Sequence, residues 1–273
     1  MSANLELLAS LACAAHKRHV ELLLLPELFL QGYDIGAEQL GKTAVTIDGP
    51  EMARIKELAV THELALCVPF AERGSDGLLY NSAVLVDRSG SVVSVYRKTH
   101  LWRCYESDIF TPGGEGQLRV VTLEPQGVRV GMIICFDVEF AEPARLLGLQ
   151  GVELLCVPTA LAVSESNLVI PRCVIPTRAI ENVSFVAYSN FPQRHRTADE
   201  SAQWPEAMTF CGLSCIVGPD GRELSRAEGS HTIMLVADLS ARALVDYAER
   251  NPYFYERQPQ LYGALAQQQA PSS

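Results

Sequence analysis

Residues 129–160 constrain the fold of this chain more than any other stretch. Val128–Ile134 is mostly apolar and β-branched, without alternation, which is the pattern of a strand buried on both faces. Cys135 follows at once, then Phe136 and Asp137. From about Glu139 the period turns helical: Phe140, Ala144 and Leu147 fall on one side, Glu142 and Arg145 on the other. Gly148 and Gly151 mark the helix end, and Val152–Val157 is a second apolar strand stopped by Pro158. Strand, cysteine, helix, strand predicts an α/β sheet with a thiol at the carboxyl end of a core strand. Open α/β sheets bind ligands at that edge, and a strand-to-helix turn offers backbone N–H groups to a thiolate. Free cysteine is also among the most buried residue types. On this stretch alone Cys135 reads equally as a small core hydrophobe and as a nucleophile that needs a base.

The 273 residues, 48% hydrophobic and 20% charged, suit one sizeable α/β domain or two small ones. A net charge of −10 argues against a nucleic-acid partner. No apolar run reaches the length of a membrane span, since Leu22–Leu25 stops at Pro26 and Glu27. The opening residues are amphipathic, with basic residues after the apolar ones, unlike a signal sequence. A cytoplasmic protein is the expectation. Eight cysteines without a C-x-x-C pair then read as free thiols. His16 and His19 can share a helix face, but no carboxylate or thiol cluster joins them, so no metal site is expected. There is no G-x-G-x-x-G or phosphate-loop pattern, and no cofactor is predicted.

In chain order, residues 3–18 predict an amphipathic helix and Val20–Leu25 a buried strand. Glu27 closes that strand. A carboxylate there is costly to bury unless it is paired or acts as an acid or base; otherwise it is a helix-start charge. Residues 50–62 predict a helix opened by Gly49-Pro50, and Leu64–Phe70 a strand. Tyr80–Val86 and Ser91–Tyr96 form a hairpin around Asp87-Arg88-Ser89-Gly90. The hairpin ends in Arg97-Lys98, where two basic residues usually mark a solvated edge. Trp102, Tyr105, Glu106 and Phe110 follow in an aromatic loop, which suggests the wall of a site. Leu118–Leu123 is a further strand beside Val128–Ile134. Past Val157 come a loop over 160–171, a helix over 172–182 and a strand over Val183–Tyr188. A polar surface loop covers 191–209 with Arg194, His195, Arg196 and Trp204. Strands at Leu213–Val217 and Thr232–Ala237, separated by a Pro219-Asp220-Gly221 turn, and a helix over Ser240–Arg250 complete the core. The tail from 251 is aromatic, then low in complexity, with a disordered end expected. Strands arriving in pairs are too numerous for a βα barrel. A sandwich of two sheets with helices outside fits better.

Glu27, Lys98 and Cys135 each end a predicted core strand. A carboxylate, an ammonium and a thiol gathered at one sheet edge have a use: Glu27 takes the thiol proton, Cys135 attacks a carbon bearing a nitrogen leaving group, and Lys98 with a backbone N–H near Phe136 holds the developing oxyanion. Here the chain resembles the nitrilase superfamily of carbon–nitrogen hydrolases, over nearly its whole length. The carrying motifs are LLLLPELFLQGY around Glu27, YRKTHLW around Lys98 and GMIICFDVEFAEPAR around Cys135. TRAIENVSFVAYSN, GLSCIVGPDG and ERQPQLY support them. The resemblance implies a single domain over 1–273 with a four-layer α-β-β-α sandwich. It implies a Glu-Lys-Cys triad, a thioester intermediate, and a homodimer or higher homo-oligomer. It makes Glu106 a second glutamate that positions substrate or assists the base, and it places Tyr33, Phe136, Glu139 and Thr159 at the substrate. The family normally has a strand before the first helix. This chain starts almost at that helix, so an unpaired sheet edge and a core gap are expected.

The resemblance also bears on the reaction. Phe136-Asp137 after the cysteine is similar to the amidase branches, whereas nitrile-cleaving members typically carry Trp-Glu. Branches acting on carbamoyl amino acids tend to place arginines where this chain has Val138 and Glu139. A pocket with Glu139 and no arginine favours neutral or cationic amides over acids. The expected activity is hydrolysis of a small carboxamide to acid and ammonia. The alternatives are a nitrilase, an N-carbamoyl amidohydrolase, a binding member with an idle site, and a histidine-dependent cysteine hydrolase, for which His100 is the candidate.

Overall fold

The computed structural model describes residues 1–102, 105–193, 208–228 and 232–267. Two sheets carry the fold. The smaller has the order β1-β2-β3-β4, built from β1 (Leu22–Leu24), β2 (Ala65–Arg73), β3 (Leu79–Val86) and β4 (Val92–Arg97). The larger contains β5 (Val120–Leu123), β6 (Val128–Met132), β7 (Leu154–Pro158), β8 (Phe185–Ser189), β9 (Cys215–Val217) and β10 (Glu223–Arg226), in the order β10-β9-β8-β7-β6-β5. Strand alternation divides the core. Leu66, Val68 and Phe70 of β2 point toward the helices α1 (Ser2–Lys17) and α3 (Pro50–His62), whose Leu8, Ala12, Met52 and Ile55 complete that layer. Ala65 and Cys67 point the other way, toward Met132, Leu155 and Cys156 of the larger sheet. The sheets touch directly there, with Cys67 Sγ 3.6 Å from Met132 Sδ. The outer face of the larger sheet is covered by α4 (Ala141–Leu149) and α5 (Ile175–Asn182), through Ala144, Leu147, Ile175 and Ala179. A short helix α2 (Ala37–Thr43) adds Leu40 to a third apolar cluster, and a late one, α6 (Ala241–Arg250), packs Ala243 and Leu244 against the larger sheet's core.

The local rules hold where they are strong. The β3–β4 hairpin turns on Asp87, whose carboxylate accepts from Ser89 N (2.8 Å) and Ser91 N (3.0 Å), with Gly90 at φ +82°. The helix over 172–182 survives Pro176 because that residue stands in the first turn of α5, where a missing N–H costs nothing. The helix expected from Glu139 begins at Ala141, because Cys135–Glu139 closes first into a tighter 3₁₀ turn.

Two expectations fail together. Thr232–Ala237 forms no strand, and the hairpin at Pro219-Asp220-Gly221 instead joins β9 to a strand not anticipated, β10. β1 pairs only with β2 among the described residues. Beside it opens a cavity of about 910 Å³, reached by Val128, Leu154, Phe185, Ala187 and Ile216 of the larger sheet and by residues 232–239. A strand exists only through a neighbour's backbone hydrogen bonds; among the described residues 232–237 makes none, and Met234 O accepts instead from the Arg18 guanidinium at 3.1 Å. The loop residues 194–207, including Arg194, His195, Arg196 and Trp204, and the last six residues of the tail lie outside the described residues.

Candidate active site

β1 and β2 are parallel, while β3 is antiparallel to both β2 and β4, so β1 and β4 end at the same edge of their sheet. β6, β7 and β8 run parallel in the other sheet. Glu27 lies just past β1, Lys98 just past β4, Cys135 just past β6 and Thr159 just past β7. Asn81, near the start of antiparallel β3, reaches the same edge.

Alternation along β4 settles the question of its two basic residues. Arg97 turns toward Glu72 (2.6 Å) and stacks over the Tyr80 ring at 3.7 Å. Lys98 turns inward and is fully buried. Its Nζ donates to Glu27 Oε1 at 2.8 Å and to Glu106 Oε1 at 2.6 Å, and neither carboxylate has any solvent exposure. Asn81 Nδ2 donates to the same two oxygens, at 2.7 and 3.3 Å. Glu106 sits in a 3₁₀ turn, where its Oε2 accepts from Trp102 N at 2.7 Å and its Oε1 from Tyr33 OH at 2.9 Å. The aromatic loop is thus a wall of the site, with Phe110 and Tyr33 in one apolar cluster. The second oxygen of Glu27 is buried without a partner, as is Asn81 Oδ1. That free Glu27 oxygen is the acceptor available to a proton.

One ammonium faces two carboxylates, and burial penalises the uncompensated charge. Burial, opposed by Lys98, pushes Glu27 up to about 8. Glu106 is also penalised by burial, yet Lys98 and the Trp102 N–H hold it below the usual carboxylate range. Burial disfavours the charged form of Lys98, but the two carboxylates outweigh it and hold the ammonium protonated. The Cys135 thiol is raised by burial and by Glu27, with Lys98 and the Ala160 N–H acting the other way. At rest the cysteine is therefore a thiol, and it needs a base. Both residue 28, after the base candidate, and Cys135 itself have left-handed backbone, with φ of +51° and +47°. Such strain in non-glycine residues costs about 1–3 kcal/mol each and gathers where a side chain must be aimed.

The other expected residues divide. Tyr33 is buried and spends its hydroxyl on Glu106. Thr159 turns its hydroxyl to Val157 O (3.3 Å), while its carbonyl accepts from Glu27 N (3.3 Å) and so ties the two strand ends together. Phe136 is half-buried and meets Phe140 edge-on at 5.1 Å. Glu139 sits at the exposed rim, its carboxyl pushed up by partial burial against the pull of Lys98. His100 bonds Asp137 and Thr99, each at 2.9 Å, and no bond joins it to Cys135, so the geometry gives the histidine-dependent alternative no support. Sequence reasoning missed Asn81 and the part Asp137 plays. Each carried a signal: a carboxamide inside the apolar run LYNSAVLV, and an aspartate within a turn that is otherwise buried. Among the described residues no cluster of three or more metal-ligating side chains occurs, and no helix is long and apolar enough to cross a membrane.

Known proteins are similar to this chain in sequence and in fold. The family model described as carbon-nitrogen hydrolase matches residues 1–248. An (R)-stereoselective amidase from Pseudomonas sp. is 33% identical over 250 residues, covering 89% of this chain and 81% of its own length. A carbon–nitrogen hydrolase from Helicobacter pylori G27 superposes with a TM-score of 0.86 at 25% identity, covering 98% of this chain and 94% of that one. A variant of an amidase from Nesterenkonia sp. AN1, with acrylamide added at its active-site cysteine, superposes with a TM-score of 0.75 at 29% identity, covering 96% and 92%. With two sheets, a carboxylate–ammonium–thiol edge and a family match over nine-tenths of its length, the chain belongs to the carbon–nitrogen hydrolase family.

Proposed function

We propose that the protein is an amidase, hydrolysing a small carboxamide to carboxylic acid and ammonia through a thioester on Cys135. The observation that carries this reading is the fully buried Lys98 ammonium held between Glu27 and Glu106 beside a protonated thiol. Glu27, pushed up to about 8, suits proton transfer near neutral pH. It takes the thiol proton as sulfur adds to the amide carbon. Lys98 and a backbone N–H near Phe136 stabilise the oxyanion. Collapse breaks the C–N bond, and ammonia leaves with the proton Glu27 returns. Water, deprotonated by Glu27, then hydrolyses the thioester and frees the thiol. Glu106 holds the ammonium in place throughout, and Tyr33 and Asn81 hold Glu106.

Val138 and Glu139 stand where an arginine pair would grip a carboxylate, so neutral or cationic amides fit better than acids. Phe136, next to the nucleophile in sequence, and Thr159, whose neighbour Ala160 turns its N–H to the thiol, are assigned to substrate contact. A panel of primary amides tests the reading. Ammonia release is expected, with Cys135→Ala inactive and a substrate-derived acyl adduct on Cys135 by mass spectrometry. Release from nitriles or carbamoyl compounds alone would refute it. We also read the protein as a cytoplasmic homodimer or higher oligomer that does not bind nucleic acid. Exposed Tyr255 (89%), Leu261 (72%) and Leu265 (70%) on the C-terminal segment support a second copy covering that face. Light scattering at the monomer mass would refute the oligomer.

A further inference from the structure

Asp137 is fully buried, and its carboxylate is the most heavily bonded side chain at the site. Oδ1 accepts from Thr99 Oγ1 (2.9 Å), His100 N (2.8 Å) and His100 Nδ1 (2.9 Å). Oδ2 accepts from Tyr96 OH (2.7 Å) and Ile134 N (2.9 Å). These five donors are not scattered. Tyr96, Thr99 and His100 bracket Lys98, two residues before it and one and two after. Ile134 immediately precedes Cys135. The bonds therefore run from the β4 end, in one sheet, to the β6 end, in the other. Lys98 itself is anchored away from the cysteine turn, donating from N to Asn81 O of β3 at 2.8 Å and accepting at O from Gly113 N of the following loop at 2.8 Å. Among the described residues these are the hydrogen bonds that join the lysine segment to the cysteine turn. His100 closes the outer side, its ring stacked on Phe140 at 4.2 Å.

We infer that Asp137 is a positioning residue that sets the separation of the Lys98 ammonium from the Cys135 thiol, and so aligns oxyanion stabiliser with nucleophile. This rests on the amidase reading of the same site. Lys98 and Cys135 belong to different sheets, and sheet-to-sheet packing through apolar side chains is not directional. Hydrogen bonds are directional, so a carboxylate gripping both segments holds what packing leaves loose. Displacement of about 1 Å in such an arrangement costs on the order of 100-fold in rate. An amide cannot replace the carboxylate. With its nitrogen at the Oδ2 position it opposes the Ile134 N–H, a donor that cannot turn away. With its nitrogen at the Oδ1 position it opposes the His100 N–H.

The test uses the full chain with Asp137→Asn and with the double variant Tyr96→Phe/Thr99→Ala, which removes two of the five donors. Three quantities are read: kcat and KM on a primary amide, thermal stability, and the rate at which iodoacetamide alkylates Cys135. Asp137→Asn is expected to lower kcat about 100-fold while KM stays within about threefold, and to slow or accelerate alkylation at least tenfold. The double variant is expected to lower kcat at least fivefold, and serves alone if Asp137→Asn does not fold. A folded Asp137→Asn protein with kcat and alkylation rate both within threefold of wild type overturns the inference, whatever its melting temperature. So does a double variant with unchanged kcat. If wild type releases no ammonia from any amide, the amidase reading fails separately, and the alkylation rate still decides the part played by Asp137.

Discussion

Replacing Lys98 with methionine isolates the electrostatics of the site, because the apolar stem is nearly retained and only the ammonium is lost. The side chain has no exposure and serves two buried carboxylates, at 2.8 and 2.6 Å. Removing one partner of a buried ion pair typically costs about 3–5 kcal/mol, since the remaining charge is left uncompensated. Here two carboxylates remain, within reach of the single Asn81 amide. They respond by holding protons: Glu27, already raised, is pushed up further, and Glu106 loses the Lys98 attraction that held it down. A raised carboxyl pKa leaves stability intact below the unfolded value, about 4.3, and erodes it as pH climbs through the folded value. Lys98→Met is therefore expected to lose about 3–5 kcal/mol at pH 8 and much less at pH 5, measured by equilibrium urea denaturation. Adding Glu106→Gln removes one of the two stranded charges and should restore part of the loss at pH 8. A variant within about 1 kcal/mol of wild type at pH 8, or equally destabilised at both pH values, would refute the picture of a desolvated cluster neutralised by Lys98.

Three further outcomes are expected. The kcat/KM of wild type should rise with pH through about 8, since Glu27 accepts a proton only when ionised; a profile flat from pH 6 to 9 in a stopped ammonia assay would contradict it. Glu139→Lys should raise KM for cationic amides at least tenfold relative to neutral ones of the same size, read from paired steady-state kinetics. Gly113→Ala should destabilise the fold by about 1–3 kcal/mol and lower kcat, because a Cβ there would lie 2.3 Å from Arg97 O, beside the Lys98 backbone; normal melting temperature and rate would count against that close approach.

Much of this protein was legible in one dimension. A run of β-branched residues ending in a cysteine, a hairpin turn with an aspartate and glycine, and a helix opened by Gly-Pro each carry their own local physics. They appear at Val128–Met132, Asp87–Gly90 and Pro50–His62. Glu27, Lys98 and Cys135 could be named because the carboxyl ends of strands are where an α/β sheet gathers the side chains that meet a ligand. Whether Lys98 faced solvent or the interior could not be read from Arg97-Lys98, since alternation fixes only that the two point oppositely. The packing of the sheets chose which one is buried. Asn81 and Asp137 are equally tertiary: their partners lie 25 to 54 residues away for Asn81, and up to 41 for Asp137. Thr232–Ala237 shows the limit from the other side. Its composition permits a strand, but a strand is a relation between two segments, and 232–237 has no backbone ladder with a neighbour among the described residues. Sequence alone determined which segments are able to form strands, helices and reactive turns, because those preferences act over a few residues. The fold decided which polar groups were taken out of water together, because desolvation and charge pairing depend on neighbours that only packing supplies.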